Sequence, residues 1–185
     1  MYSNANARLL GTNVVSQNAT EGFTVGLGGV VFSIGSTLEA NDNGTDGVLL
    51  LQNGAVELIG GRLEAHRNAG DGITVREQST LTLGIAEFGV EGTVVAQGNE
   101  GHGMSVLDGS LVVVDGIMPV TSRENLGSGL VVDAGSTANI RGSTFADNAE
   151  PDVERFAARA TLNDNIIGEF VCDETSLRRG SDVCP

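Results

Sequence analysis

The stretch Asn68-Ala-Gly-Asp-Gly72-Ile-Thr-Val75 decides the fold, because its pattern of Asn-x-x-x-Gly followed by an apolar residue recurs along the chain. Full copies begin at Asn18, Asn43, Asn68, Asn99 and Asn125, and a degenerate copy begins at Asn148. Successive asparagines are 25, 25, 31, 26 and 23 positions apart, so the period is near 25 with one longer interval. Five copies in register indicate a repeat architecture, and such a repeat takes precedence over local signals.

Each repeat contains three short segments in which apolar residues alternate with polar ones. The first follows the glycine, as at Ile73 and Val75, the second includes Leu81 and Leu83, and the third precedes the next asparagine, as at Leu63. This period of two is typical of strands with one buried face. Gly, Asn, Asp and Ser separate the segments, so the sequence predicts a coil of three strands per repeat.

Stacked coils of this kind pair each strand in parallel with its copy one turn later. We therefore predict an all-β chain, a right-handed parallel β-helix of about six coils. The pattern resembles the right-handed, pectin-lyase-like β-helix repeat domains, and the resemblance runs from roughly Leu9 to Ile167. Residues 1–150 are assigned to the repeats, and residues 151–185 to the last coil and a C-terminal cap.

Two other repeat folds are alternatives to this prediction. A leucine-rich repeat has units of similar length, but it would need helical return segments. The return segments here, such as Ser79-Thr-Leu-Thr-Leu-Gly84 and Gly109-Ser-Leu-Val-Val-Val-Asp-Gly116, are rich in β-branched residues and glycine. A left-handed hexapeptide β-helix tolerates a period near 25 residues poorly. Both alternatives are less consistent with the sequence than the right-handed coil.

The recurring asparagine and glycine each have a physical interpretation. Inward amides at one corner can hydrogen-bond to their copies above and below, as stacked amide ladders do. We expect the glycine to provide the backbone freedom with which the chain re-enters the first strand. The predicted ladder consists of Asn18, Asn43, Asn68, Asn99, Asn125 and Asn148.

Charge excludes several classes of function. The 185 residues include 24 acidic and 10 basic side chains, and every basic residue is an arginine. The absence of lysine excludes a Walker-type phosphate lysine and a Schiff-base lysine. A net charge of -14 disfavours nucleic acid as a partner. No run of 18 apolar residues is present, so we expect no membrane insertion.

The cysteines bear on the cellular compartment. Cys172 and Cys184 lie 12 positions apart near the C-terminus, where a disulfide could close a small loop and staple the cap. Two reduced thiols are the alternative. The first ten residues lack the pattern of a signal peptide, so the protein is either intracellular or has lost its signal. The cysteines favour an extracellular or cell-surface location. The first coil, near Leu9 and Val14, has no helix ahead of it to cap its open edge, which is compatible with a fragment of a longer protein but does not decide it.

No catalytic residues are predicted. The outward positions of the first strand and its continuation carry only Arg76 and Asp133 as charged residues within the regular coils. Glycoside hydrolysis requires two carboxylates on opposite sides of the bond, and this strand does not supply them. The leading hypothesis is a non-enzymatic scaffold or adhesin-like binding module, with a polysaccharide or another protein surface as partner. The family resemblance implies the alternative, a polysaccharide-active enzyme or a carbohydrate-binding domain.

Carboxylates gather at the corner that precedes the repeat glycine. Glu21, Asp46 and Asp71 each stand directly before that glycine and should stack in one column. Such a column is a candidate Ca²⁺ site, because Ca²⁺ takes oxygen ligands in flexible geometry. A solvated acidic corner is the simpler interpretation, and no other cofactor is predicted. His66 and His102 occupy different corner positions, so both are expected to be exposed turn residues.

Apolar residues at outward positions suggest a second candidate surface. Leu49, Leu51, Leu107 and Val131 should all point outward from the first-strand sheet. A contiguous apolar strip can mark an interface, although a loop could equally cover it. The longer fourth interval should loop out near residues 85–92, and Phe88 within it is the best candidate for an exposed aromatic contact.

Overall fold

The computed structural model describes residues 5–85, 89–133, 135–172 and 177–180. The chain forms a parallel β-solenoid of about six turns, and within the described residues it contains strands and no helix. The predicted parallel β-helix is thus confirmed. The helical returns of a leucine-rich repeat are absent from the described ranges.

Three parallel sheets form the sides of the solenoid, here called sheets A, B and C. Sheet A contains β1 (Asn6–Leu9), β4 (Val30–Ile34), β7 (Ala55–Ile59), β10 (Thr80–Leu83), β13 (Leu111–Val114), β16 (Thr137–Arg141), β19 (Arg159–Asn163) and β22 (Leu177–Gly180). Sheet B contains β2 (Thr12–Val14), β5 (Thr37–Glu39), β8 (Gly61–His66), β11 (Gly92–Gln97), β14 (Val120–Arg123), β17 (Thr144–Phe145) and β20 (Ile166–Ile167). Sheet C contains β3 (Phe23–Val25), β6 (Val48–Leu50), β9 (Ile73–Val75), β12 (Met104–Val106), β15 (Leu130–Val132), β18 (Val153–Arg155) and β21 (Phe170–Cys172).

Each strand pairs with its copy one coil away, as the repeat predicts. In sheet C, Ile73 lies between Val48 of the preceding coil and Met104 of the following coil. The inward side chains of all three sheets form one continuous core, in which Leu81 and Leu83 are fully buried. Fully burying a leucine is worth about 1.5–3 kcal/mol, so this core is the main stabilising element.

The insertion in the fourth interval lies between β10 and β11 and leaves the stack intact. Strand β10 keeps its register with β7 and β13, and β11 keeps its register with β8 and β14. Val90 of the inserted loop lies against Gly60 of the preceding coil, so the end of the loop contacts the solenoid. Phe88 lies outside the described residues, and its predicted exposure remains a prediction.

The asparagines form a ladder that runs along the corner between sheets B and C. The Oδ1 atom of Asn68 accepts hydrogen bonds from the backbone N–H and Nδ2 of Asn43, at 3.0 and 2.9 Å. The Nδ2 atom of Asn68 donates in turn to Oδ1 of Asn99 and to the carbonyl of Ala40, both at 3.0 Å. The same amide-to-amide contact joins all six predicted positions, from Asn18 to Asn148.

The degenerate sixth repeat ends the ladder. Asp152 occupies the position of the repeat glycine, and its Oδ1 atom accepts bonds from the backbone N–H and Nδ2 of Asn148, at 3.1 and 2.7 Å. The carboxylate thus takes the place of the next asparagine. Its second oxygen accepts the backbone N–H of Glu169 at 2.9 Å, which ties the final coil to the corner.

The repeat glycines are required for space, which corrects the expectation that they provide special backbone freedom. None of Gly22, Gly47, Gly72, Gly103 and Gly129 has a positive φ. A Cβ atom on Gly72 would instead stand 2.7 Å from the carbonyl oxygen of Gly103 and 2.8 Å from Nδ2 of Asn99. The ladder amides and the next coil fill the space that any side chain would need.

Two further expectations bear on the ends of the chain and on membranes. Cys184 lies outside the described residues, so its disulfide with Cys172 stays a prediction. Among the described residues, no helix has the length and apolar character needed to cross a membrane.

Candidate functional site

Polar side chains occupy the column of residues that precede the repeat glycines. Backbone bonds place these residues in register, because the N–H of each repeat glycine donates to the carbonyl of the column residue one coil later. In order, the column contains Glu21, Asp46, Asp71, His102 and Ser128. Glu100 is exposed and lies two positions before His102, outside this column.

Side chains of this column hold neighbouring coils together. Oδ1 of Asp46 accepts the backbone N–H of Asp71 at 2.9 Å, and Oδ1 of Asp71 accepts that of His102 at 2.7 Å. Nδ1 of His102 then accepts the backbone N–H of Ser128 at 2.8 Å. We call this series of contacts the corner staple. Each of these acceptors satisfies a backbone N–H that lies in the corner and is not paired within a sheet. Without the side-chain acceptor, that N–H would need a water molecule as its partner.

Hydroxyl groups on the outer face of sheet C complete the staple. Oδ2 of Asp71 accepts the hydroxyl of Ser105 at 2.5 Å and that of Thr74 at 3.3 Å. Two coils further along, the Ser128 hydroxyl donates to Oε1 of Glu154 at 2.6 Å. Thr74 and Ser105 are buried, so the carboxylate of Asp71 meets the hydrogen-bonding needs of two nearly inaccessible hydroxyls.

Burial dominates the ionisation of Asp46. It raises the pKa of this carboxyl above the ordinary value of 3.8, and the backbone N–H of Asp71 offsets part of the rise. The negative charge of Asp71 adds a further, smaller increase. A carboxyl with a raised pKa holds its proton more tightly in the folded than in the unfolded chain. Stability therefore falls as pH rises through the pKa of the folded state.

Asp46→Asn is therefore expected to raise the melting temperature at pH 7. The amide oxygen can still accept the N–H of Asp71, whereas the charge that burial disfavours is removed. The gain should shrink on acidification toward pH 3.8, where the wild-type carboxyl is protonated. Thermal unfolding followed by circular dichroism between pH 3 and 8 measures both effects, with Asp108→Asn at an exposed turn as the control. An unchanged or lower melting temperature at pH 7 would contradict this account.

The described residues do not assemble the predicted cation site. Glu21, Asp46 and Asp71 share the column, but no group of three His, Cys, Asp or Glu side chains among the described residues is placed to hold a metal ion. Asp46 and Asp71 accept backbone and hydroxyl hydrogen bonds instead, for which carboxylate oxygens serve equally well.

The two histidines are not the exposed turn residues that the sequence predicted. His102 is half-buried, and its Nδ1 atom belongs to the corner staple. His66 is also half-buried, and its Nε2 atom lies 3.7 Å from Oε1 of Glu64. Burial lowers the pKa of His66, whereas the charge of Glu64 opposes that shift.

The predicted apolar strip is not a continuous exposed surface. Leu49 is only 4% exposed, while Leu51, Leu107 and Val131 are half-buried. Outward side chains in one column stand about 4.8 Å apart, so neighbouring coils shield much of each residue. Arg76 also separates Leu51 from Leu107 in their column. These leucines therefore do not form the interface strip that their outward positions suggested.

A serine ladder at the corner between sheets C and A escaped sequence reasoning. Ser79 Oγ accepts the backbone N–H of Gly54, Ser110 Oγ accepts that of Ser79, and Ser136 Oγ accepts that of Ser110, at 3.1–3.2 Å. The recurrence of serine at this position was the signal that could have revealed it.

Comparison with known proteins gives a similarity of fold. No protein-family model matches the chain, and no curated protein matches its sequence. Among solved structures, the chain is similar to the A-module of the mannuronan C-5 epimerase AlgE4 from Azotobacter vinelandii, with 19% sequence identity and a TM-score of 0.52. The match covers 78% of this chain and 40% of that structure. The resemblance to parallel β-helix domains is confirmed at the level of fold.

Proposed function

We propose that the chain is a non-catalytic parallel β-helix module, which acts as a rigid scaffold or binding domain of a secreted or cell-surface protein. The corner staple is the observation that supports this role. The carboxylates of Asp46 and Asp71 accept bonds from neighbouring coils, and that of Glu154 accepts the Ser128 hydroxyl. A general acid and a nucleophile must present a free oxygen to a substrate, whereas both oxygens of Asp71 accept hydrogen bonds within the protein.

A polysaccharide screen tests the absence of catalysis. Purified protein is incubated with neutral and acidic polysaccharides, and products are followed by reducing ends, unsaturated ends and NMR of sugar configuration. We expect no turnover of any of these polymers. Turnover that is lost in Asp71→Asn, with an unchanged circular dichroism spectrum, would overturn the proposal.

One observation favours a second candidate, a polysaccharide-active enzyme. Asp46 and Asp71 occupy the same position on neighbouring coils, about 4.8 Å apart along the axis. Burial raises the pKa of Asp46, and a pair of carboxyls in unlike environments is typical of acid–base catalysis. The similar solved structure, a mannuronan epimerase module, has the same fold. In this case the screen would detect turnover that both Asp46→Asn and Asp71→Asn abolish.

The C-terminal disulfide belongs to the same proposal, because it supports the assignment to an oxidising compartment. A bond between Cys172 and Cys184 would close a short loop and contribute about 3 kcal/mol to stability in the chain-entropy model. Reduction should loosen residues from about Pro151 onward before the central coils unfold. Thiol titration of unfolded, unreduced protein should detect no free thiol, and two free thiols per chain would refute both the bond and the extracellular location.

A further inference from the structure

One link of the corner staple uses a group that takes up a proton near neutral pH. Carboxylate oxygens of Asp46 and Asp71 form the first two links, whereas the third uses Nδ1 of His102, which accepts the backbone N–H of Ser128 at 2.8 Å. A ring nitrogen of histidine accepts a hydrogen bond only when it carries no proton. The link therefore requires the neutral ring, with its hydrogen on Nε2.

The acceptor lies tightly against the turn that it binds. A Cβ atom on Gly127 would stand 2.6 Å from Nδ1 of His102, so the backbone of the turn passes directly beside this nitrogen. Ser128 is fully buried, and its hydroxyl donates to Oε1 of Glu154 at 2.6 Å. Bulk water therefore does not reach the Ser128 N–H while the turn is closed. Once Nδ1 carries a proton, two N–H groups face each other and the bond is lost.

The charged groups near this corner do not restore the bond. Asp71 lies on the preceding coil, Glu154 lies on the following coil, and Glu100 is exposed in the same turn as His102. The turn that His102 binds, residues 125–129, contains no charged residue. The three carboxylates attract an imidazolium. None of them turns a protonated Nδ1 back into an acceptor for Ser128.

The neighbouring contacts confine the change to the corner. The ladder continues past it, because Nδ2 of Asn99 donates to Oδ1 of Asn125 at 2.9 Å. In sheet C, β12 and β15 remain paired through Met104 and Leu130. None of these contacts involves a group that takes up a proton between pH 5 and 8, the range in which histidine ordinarily does so. Loss of the His102 link therefore loosens one turn and leaves the stack intact.

We propose that His102 makes the corner between the fourth and fifth repeats a pH-sensitive switch. With a neutral ring the corner is closed, and protonation of Nδ1 breaks the bond to Ser128 and opens the turn at residues 126–129 to water. The switch is reversible, because no covalent bond changes. It does not depend on the proposed function, since it concerns a hydrogen bond within the solenoid and no ligand.

Amide hydrogen exchange followed by NMR at pH 8 and pH 5 tests the switch in the unmodified protein. Rates are converted to protection factors, which removes the intrinsic pH dependence of exchange. We expect the protection of the Ser128 N–H to fall about tenfold at pH 5, equivalent to about 1.4 kcal/mol. The fall should follow protonation of the His102 ring, whose nitrogen shifts should place the hydrogen on Nε2 at pH 8.

The preceding link of the staple is an internal control. Asp71 accepts the backbone N–H of His102 at 2.7 Å, and aspartate carboxyls ordinarily take up a proton only near pH 4. The protection of the His102 N–H should therefore be the same at pH 8 and pH 5. An equal loss at both amides would show that the whole corner opens for another reason, and it would overturn the proposal.

His102→Asn is the decisive variant, because an amide oxygen can accept the Ser128 N–H and takes up no proton in this range. In this variant the protection of Ser128 should be equal at the two pH values. His66→Gln removes the only other histidine of the sequence and should leave the pH dependence unchanged. Constant protection of Ser128 in the unmodified protein, a hydrogen on Nδ1 at pH 8, or a tenfold fall in His102→Asn would each refute the switch.

Discussion

Asn68→Ala is expected to lower the free energy of unfolding by about 3–5 kcal/mol, because it leaves several buried groups without partners. The Asn68 side chain accepts two bonds from Asn43 and donates to Asn99 and Ala40. The substitution leaves the backbone N–H of Asn43 and the carbonyl of Ala40 without a hydrogen-bond partner. Each such buried polar group costs about 1–3 kcal/mol. Urea unfolding followed by circular dichroism measures the change.

Asn18→Ala provides the matched control at the first position of the same ladder. Asn18 is exposed, and water can replace the contacts of its backbone N–H and Nδ2 with Asn43. We expect its loss to lower stability by less than about 1 kcal/mol, the usual net value of one hydrogen bond. Equal effects of the two substitutions would show that stability does not depend on burial of the ladder.

Gly72→Ala is expected to destabilise the protein by about 2–4 kcal/mol through overpacking. The added Cβ would stand 2.7 Å from the carbonyl oxygen of Gly103 and 2.8 Å from Nδ2 of Asn99. Neither atom lies at the end of a flexible chain, since one is backbone and the other is held by two hydrogen bonds. The corner must therefore widen, which stretches the ladder.

Gly116→Ala tests whether this effect is specific to the ladder corner. Gly116 is exposed, and a Cβ there would meet Cγ of Arg141 at an ordinary contact distance of 3.6 Å. Replacing a glycine without a positive φ restricts the unfolded chain, so stability should stay level or rise slightly. Comparable losses at Gly72 and Gly116 in thermal unfolding would refute the steric explanation.

The period of the sequence was sufficient to predict the stack and the ladder. Asparagines about 25 residues apart fix the register of neighbouring coils, and alternation identifies residues such as Leu81 as inward. Both inferences depend on positions that recur with the same residue type. Sequence reasoning succeeded where one interaction repeats along the axis.

Prediction failed where different residues perform the same task. In the corner staple, the carboxylate of Asp71 and the imidazole of His102 accept the same kind of hydrogen bond from the next coil. Because the residue type changes from coil to coil, the sequence shows no recurring residue at this position. The repeat glycine was correctly identified as special, but sequence could not distinguish a need for positive φ from a need for space. Burial of Leu49 also depends on side chains that are distant in sequence.

The spacing of the ladder has a consequence for how the chain folds. Neighbouring ladder residues are 23 to 31 positions apart, so each new coil requires closure of a loop of similar length. The closure entropy for 31 residues exceeds that for 25 by only about 0.2 kcal/mol. No coil is therefore much harder to form than another, and folding can begin at any pair of coils and propagate in both directions.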